Sequence, residues 1–462
     1  MDFNEQLARF IAQVGPRQTP ALIIPGSRQA DTAALLIAAL KPERVAFLLT
    51  PETTDFPAQV AAKIGQQPAN GWLCKTAPYT DINQVYRELR AVIEAWSDLE
   101  RDQILVDLTG GTKPMTVGLA KAAYVLGLRT VYIESDYEQN RVIPGSQRLI
   151  EPSDPYEVFG DLEAKEAVRF FNAHDYVSAE RIYTDLAKRV QAEDGTFYKA
   201  MAQLARAYTQ WESFDIATAV KTMADLLAHP LPARLVPYQS TLHDHYQALI
   251  SLDATIKAMS NQQQALTTLA NRQAILPLLG SLYANALRRE TQRRYDTAAL
   301  LRYRCLELMS QHRLATRGVW VEKPDLDQLK AQIPDLDRSY RAVERSLGFR
   351  ERGLQPNRDG QYNPITLLNG YMLLTALSDP LIQTITLTDI RQRVNVRNKS
   401  ILAHGFRQIT EAEYRDFAKV VEQLLDQFFA IAQEQRSSWE ERYQFIKLPS
   451  SDHRALPRKA EL

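Results

Sequence analysis

Short apolar runs alternate with helical patterns over the first third of the chain. ALIIP at 21–25, VAFLLT at 45–50, WLCKT at 72–76, QILVDL at 103–108 and TVYIES at 130–135 read as strands. Between them, QADTAALLIAAL at 29–40, residues 80–97 and KPMTVGLAKAAYVLG at 113–127 read as helices. Strands alternating with helices predict a mainly parallel sheet covered on both faces. Ligands of such sheets sit beyond the carboxyl ends of the strands. The loops at 25–28, 50–55, 109–113 and 134–136 are therefore where chemistry is expected.

After about residue 153 the strand signals stop. DYVSAERIYTDL at 175–186 and DIATAVKTMADL at 215–226 echo each other, each opening on an aspartate suited to a helix N-terminus. Two copies make a helical-hairpin pair rather than a repeat array. Further on, RRYDTAALLRYRCLELMSQHRL at 293–314 spaces its apolar residues helically, and NPITLLNGYMLLTAL at 363–377 is apolar enough to be buried. Thr410 with Glu413 forms a capping-box pattern before a long amphipathic helix ending near Gln433. The expected class is α/β plus all-α, in four stretches. These are an α/β domain with a Rossmann-like, mainly parallel sheet at 1–153, a helical linker or insert at 154–270, a helical domain at 271–446 and a polar, frayed tail at 447–462.

Composition narrows the function classes. The chain has 462 residues, room for about three domains. Its 55 Lys and Arg balance 55 Asp and Glu. That excludes a bulk basic surface for duplex nucleic acid, but not a local basic cleft. The 2 cysteines, Cys74 and Cys305, build neither a disulfide framework nor a zinc-ligand spacing, which fits a reducing cytoplasm. No signal segment opens the chain and no run reaches the roughly 18 apolar residues of a membrane span. A cytoplasmic protein with no membrane partner is expected.

The first chemical anchor is DLTGGTKPM at 107–115, a strand-to-helix turn. Gly110 and Gly111 allow tight backbone and close approach by a ligand. The helix start beyond them offers unpaired N–H donors to a phosphate. Thr109 and Thr112 add hydroxyls, Lys113 a point charge, and Pro114 suits the first helical turn. Neither the Walker spacing nor G-x-G-x-x-G is met, which disfavours an ATPase or a dehydrogenase. By its residues alone the turn serves equally as a tight connection with no ligand.

The second anchor is RNKSILAHG at 397–405. On a continuous helix Arg397 and His404 share one face, about 10.5 Å apart along the axis. Gly405 then ends the helix and His404 lies in its last turn, where an imidazolium is favoured by the dipole. An imidazole can move a proton near neutral pH, and a guanidinium can hold charge developing on a phosphate. Asn398 adds a hydrogen bond. Together these groups suit metal-free cleavage of RNA through its 2′-hydroxyl. One helix alone holds the pair too far apart for one phosphate, whereas two helices about a two-fold axis bring two pairs to one cleft. As a bare spacing, an arginine and a histidine seven apart is a common accident.

Both anchors carry a resemblance. D-x-T-G-G-T-K-x-M after the fourth strand resembles the signature loop of CARF domains, sensors of cyclic oligoadenylates, and ALIIPGS resembles their other ligand-facing loop. R-N-x5-H resembles the R-x4–6-H motif of HEPN domains, and 293–308 resembles their first long helix. In this order the chain resembles the CARF–HEPN ribonucleases of type III CRISPR systems, ancillary enzymes of the Csm/Csx type. The resemblance implies a homodimer that shares one ring-shaped activator. Gly26, Ser27, Thr109, Gly110, Gly111, Thr112 and Lys113 face that ligand. Arg397, Asn398 and His404 cleave single-stranded RNA, leaving 2′,3′-cyclic phosphates. No metal and no cofactor beyond the activator are expected. A further expectation is ring-nuclease activity in the sensor domain, with Thr112 or Ser27 placing the ligand's 2′-hydroxyl. The competing expectation is a non-catalytic sensor acting through its helical region.

Other polar residues are weaker candidates. His243 and His245 flank Asp244 without Cys or acidic partners at ligand spacing, and surface positions are expected for both. His174, His229, His312 and His453 stand in no constellation. Arg391 and Arg393 either widen a basic cleft or line a solvated helix face.

Overall fold

A computed structural model describes residues 1–17, 19–66, 71–139, 141–152, 160–190, 192–403 and 405–449. The chain divides into two compact units, Met1–Val158 and Phe159–Leu462.

The first unit opens with a helix α1 (Phe3–Val14) that the strand pattern did not announce, held by an Asp2–Glu5 capping box. The sheet strands are β1 (Ala21–Pro25), β2 (Arg44–Leu49), β3 (Trp72–Thr76), β4 (Ile104–Asp107) and β5 (Arg129–Glu134). Helices α2 (Asp31–Leu40), α3 (Phe56–Lys63), α4 (Ile82–Ala95) and α5 (Lys113–Val125) connect them. A short hairpin, β6 (Tyr137–Glu138) with β7 (Arg141–Val142), follows, and β8 (Arg148–Ile150) closes the unit. The sheet order is β3-β2-β1-β4-β5-β8, parallel throughout except for β8, which runs antiparallel to β5.

Alternation along β1 explains the layers. Leu22 and Ile24 face α1, α2 and α3, whereas Ala21 and Ile23 face α4 and α5. Both faces are covered at the centre of the sheet, so β1, β2 and β4 are almost continuously buried. From β1 the chain winds outward to β2 and β3, then returns to β4 on the other side. The carboxyl ends of β1 and β4 thus form the point where strand order reverses, the usual crevice of such sheets.

The second unit is helical. Its first part comprises α6 (Asp161–Asn172), α7 (Tyr176–Arg189), α8 (Ala192–Glu212), α9 (Ile216–Leu227) and α10 (Gln239–Ser260). The echoing segments are α7 and α9. Each follows a helix that ends in a left-handed residue, His174 (φ 62°) or Phe214 (φ 61°). The next amide then bonds back five residues, Asp175 to Phe170 and Asp215 to Gln210. The same device recurs at Arg293 (φ 57°), with the Arg294 amide bonding to Arg289.

The later part comprises α11 (Gln262–Ala270), α12 (Arg272–Thr291), α13 (Tyr295–Ala315), α14 (Asp327–Gln332), α15 (Leu336–Ser346), α16 (Leu367–Ala376), α17 (Leu387–Asn398), α18 (Glu411–Ile431) and α19 (Arg436–Arg442). Its core joins α12, α13, α16 and α18 through residues such as Leu276, Leu306, Tyr371 and Leu424. Inside it, the Arg302 guanidinium donates to the Tyr414 hydroxyl (2.8 Å), Glu422 (2.9 Å) and Glu290 (3.1 Å). This buried arginine fixes α13 against α12 and α18.

Of the expected polar tail at 447–462 only residues 447–449 are among the described residues, and there Leu448 is buried and not frayed. Phe445, Ile446 and Leu448 are buried in the core of the first helical part. Asn172 brackets Leu448, its side chain donating to the Leu448 carbonyl (2.7 Å) and accepting from its amide (2.8 Å). Phe445 stacks on Tyr208 at 3.9 Å and lies under the Arg288 guanidinium at 3.8 Å. Residues 443–448 are therefore a strap that completes the earlier helical layer, not a frayed end. Apolar Phe445, Ile446 and Leu448 were its signal. Among the described residues, no helix is long and apolar enough to cross a membrane.

Candidate functional site

The glycine turn lies at the strand-order reversal. Asp107 ends β4 with its carboxyl fully buried, accepting from the Thr109 amide at 2.9 Å. Burial pushes its pKa up to about 6, against the opposing pull of the Thr109 hydrogen bonds. The Thr109 hydroxyl oxygen accepts from the Ile133 amide (2.8 Å), tying the turn to β5. Both the amide and the hydroxyl oxygen of Thr109 are thus engaged within the fold, and Thr109 shapes the turn.

Gly110 and Gly111 press against the loop after β1. A Cβ at Gly110 would stand 3.2 Å from the Pro25 carbonyl oxygen and the Ser27 Cβ. At Gly111 it would meet the Pro25 Cβ at 3.0 Å, and φ there is +85°. Gly26 is as tight, a Cβ lying 2.7 Å from the Thr53 hydroxyl. The structure thus brings Gly26, Ser27, Gly110 and Gly111 together. Thr112 caps α5, accepting weakly from the Met115 amide at 3.5 Å. Gly111, Thr112 and Lys113 are exposed, and their amides bond to none of the described residues. Exposed donors at a helix start beside a lysine make a cradle for a phosphate or another anion.

The second anchor folds differently from its expectation. Helix α17 begins at the Thr386 cap and ends at Asn398, so residues 397–404 are not two turns of one helix. The shared-face argument therefore fails. A local loop takes over where the helix stops: Ser400 bridges to Arg407, and the Ile401 amide bonds to the Arg407 carbonyl at 2.9 Å. The Gly405 amide bonds to the Ser400 carbonyl at 3.0 Å. A Cβ on Gly405 would lie 1.8 Å from the Lys399 carbonyl oxygen. Gly405 is needed for closing this loop and not for capping the helix. His404 lies outside the described residues.

Arg397 sits in the last turn of α17, over the Tyr303 ring of α13 at 4.2 Å. Its Nη1 donates to Asn398 Oδ1 at 3.3 Å, and its Nε is buried without a hydrogen-bond partner. Arg391 and Arg393 divide. Arg391 donates to the Leu347 carbonyl (2.8 Å) and lies over Phe349 at 4.5 Å. Arg393, like Arg397, has a buried Nε with no partner. Beside them Ile401, Leu402 and Phe406 are exposed, Phe406 by 96%.

The histidines separate cleanly. His245 is fully buried, contrary to the expected surface position, between the Tyr208 hydroxyl (3.0 Å) and the Gln444 carbonyl (3.2 Å). Burial lowers its pKa to about 4, and the same cause lowers His174 to about 4. His312 is buried against the Leu269 carbonyl at 2.6 Å. His243 and His229 are exposed, and His453 lies outside the described residues. Among the described residues, no group of three or more His, Cys, Asp or Glu side chains is placed to hold a metal ion.

Two family models match the helical unit, a Csm6 6H domain over residues 159–258 and a Csm6 HEPN domain over residues 268–427. Together they span more than half of the chain. The chain belongs to the Csm6 family. The CRISPR system endoribonuclease Csm6 of Thermus thermophilus is 25% identical over 415 residues, covering 86% of this chain and 82% of that relative. Among solved structures, Enterococcus italicus Csm6 bound to cyclic hexa-2′-fluoro-hexa-dAMP aligns with 92% of this chain and 100% of its own, at 13% identity and TM-score 0.41. Can2 from Sulfobacillus thermosulfidooxidans in complex with cyclic tetra-adenylate aligns with 48% of this chain and 70% of its own, at 14% identity and TM-score 0.23. Arg393, Arg397, Asn398 and His404 all fall inside the HEPN match, and the 6H match holds the echoing helices.

Proposed function

We propose that this Csm6-family protein is an endoribonuclease of type III CRISPR defence, switched on by a cyclic oligoadenylate. The division of labour follows the first three sequence stretches, with a CARF sensor at 1–153, a helical connector at 154–270 and a HEPN nuclease at 271–446. The observation that carries the reading is Arg397, an arginine inside the HEPN match, with a donor left unspent beside Asn398. In the reaction, the RNA 2′-oxygen attacks the neighbouring phosphorus and the bond to the 5′-oxygen breaks. A 2′,3′-cyclic phosphate and a 5′-hydroxyl result. Arg397 holds the non-bridging oxygens as charge develops on them. His404 moves the proton, and Asn398 steadies the guanidinium.

The cradle of Gly26, Ser27, Gly110, Gly111, Thr112 and Lys113 takes a phosphate of the ring-shaped activator. Its binding favours one of two states of the protein, which is the condition for any coupling to the nuclease. Ile401, Leu402 and Phe406 are exposed in the loop that follows the arginine's helix, and exposed apolar residues there fit burial against a second copy about a two-fold axis. The substrate is single-stranded RNA, cut without a metal ion in the cytoplasm.

The test is cleavage of labelled single-stranded RNA with each cyclic oligoadenylate in turn, EDTA being present. One ring size should activate, and His404→Ala should lose about 100-fold or more of the rate. Full activity in His404→Ala removes this site assignment. Ligand binding with no cleavage under any condition favours a non-catalytic regulator instead.

A further inference from the structure

Arg393 and Arg397 lie one turn apart on α17, in the unit's candidate site. Residues four apart on a helix face each other, and like charges there repel. Neighbouring arginines are relieved of such strain. Arg407 forms a paired contact with Glu413, Arg302 pairs with Glu290 and Glu422, and Arg391 is bonded to a backbone carbonyl. Arg393 and Arg397 have no carboxylate partner among the described residues, and the Nε of each is buried and unbonded. A buried donor without an acceptor is costly, and two on one face form a place that an anion would complete.

The aromatic support beneath Arg397 gives the pair direction. The Arg397 Cζ lies 4.2 Å over the centroid of the Tyr303 ring, and the ring's neighbour Arg302 locks α13 into the core through Glu290, Glu422 and Tyr414. A guanidinium resting on a fixed ring presents its edge rather than its face, the geometry for a phosphate. Residues four apart rise about 6 Å along the helix. That is the scale on which successive phosphates follow one another along an extended single strand.

We propose that Arg393 binds the RNA phosphate adjoining the one attacked, and that Tyr303 is the positioning residue that presents Arg397 to the scissile phosphate. The inference rests on the ribonuclease reading. The ligand chemistry is a run of at least two phosphodiesters, so the subsite reads backbone and not base.

The experiment has a binding arm and a cleavage arm, both on the full chain. The binding probe is a single-stranded oligoribonucleotide with methoxy groups replacing its 2′-hydroxyls, which keeps every phosphate and cannot be cut. Its affinity is measured over a range of salt concentrations. Arg393→Ala should weaken binding about 10-fold and lower the log–log salt slope by about 0.7, the share of one phosphate contact on a single strand. Arg393→Lys should restore the slope, since a point charge suffices to release a counterion. In the cleavage arm, Tyr303→Leu should lower kcat about 10-fold with KM nearly constant, and Tyr303→Phe, which keeps the ring face, should restore most of that loss. Unchanged affinity and slope in Arg393→Ala overturn the phosphate contact. Equal rates in Tyr303→Leu and Tyr303→Phe overturn the positioning role. Full cleavage by His404→Ala would instead remove the parent reading, and the binding arm would still decide the case of Arg393.

Discussion

Asp107 shows how one residue can be both a structural stitch and a liability. Its carboxyl holds the glycine turn, yet burial lifts its pKa from the ordinary 3.8 to about 6. Below that ordinary value both folded and unfolded chains are protonated and nothing is lost. As pH rises from about 4 to 6 the unfolded chain gives up its proton first, so stability falls through this window and stays lower above it. The gap is worth on the order of 3 kcal/mol. Asp107→Asn keeps an oxygen for the Thr109 amide, so thermal melting should show the variant matching the parent near pH 4 and exceeding it near pH 7. At Gly111 the left-handed φ and the close Pro25 Cβ both resist a side chain, and Gly111→Ala should cost about 1–3 kcal/mol in denaturant titration. These residues were legible because turn chemistry is local: two adjacent glycines between a strand and a helix have few other uses. The Arg397–His404 spacing misled for the opposite reason. Its helix ends at Asn398 and gives way to a loop pinned by the Ser400–Arg407 bridge, a contact that helical periodicity does not encode.

Elements were readable to the degree that their burial was regular. Strands β1, β2 and β4 are buried along nearly their whole length and show as plain apolar runs, β5 alternates buried and exposed positions, and β3 is only partly covered, whereas β6, β7 and β8 are short, largely exposed and left no run to see. Helix α1 was overlooked although Asp2 and Glu5 carry a capping box. The strap at 443–448 was hidden because a polar end follows it directly. Its aromatic is the critical contact: Phe445→Ala removes the stack on Tyr208 and the seat of Arg288, and should cost about 3–5 kcal/mol. Urea unfolding followed by tryptophan fluorescence reads this well, since Trp211 lies 5.1 Å from the Phe445 ring.

At the scale of the whole molecule, a net charge of zero makes RNA binding depend on a few placed cations rather than a general field. The exposed phenyl of Phe406 belongs to the same scale, because the proposed second copy would cover it. Phe406→Glu should shift the protein toward monomer in light scattering and reduce RNA cleavage in step, while a dimer of full activity would contradict the two-copy reading. The strap also sets an order of events in time. Asn172 waits for Leu448, 276 residues later, before its hydrogen bonds can form. At a synthesis rate of roughly 5–20 residues per second, that wait is on the order of 10–60 s. During it the connector layer stands open on the ribosome, with Tyr208 and its neighbours uncovered. A chain released early would carry a complete sensor sheet and an unfinished middle, so truncated products should be cleared by proteases instead of accumulating as unregulated nucleases.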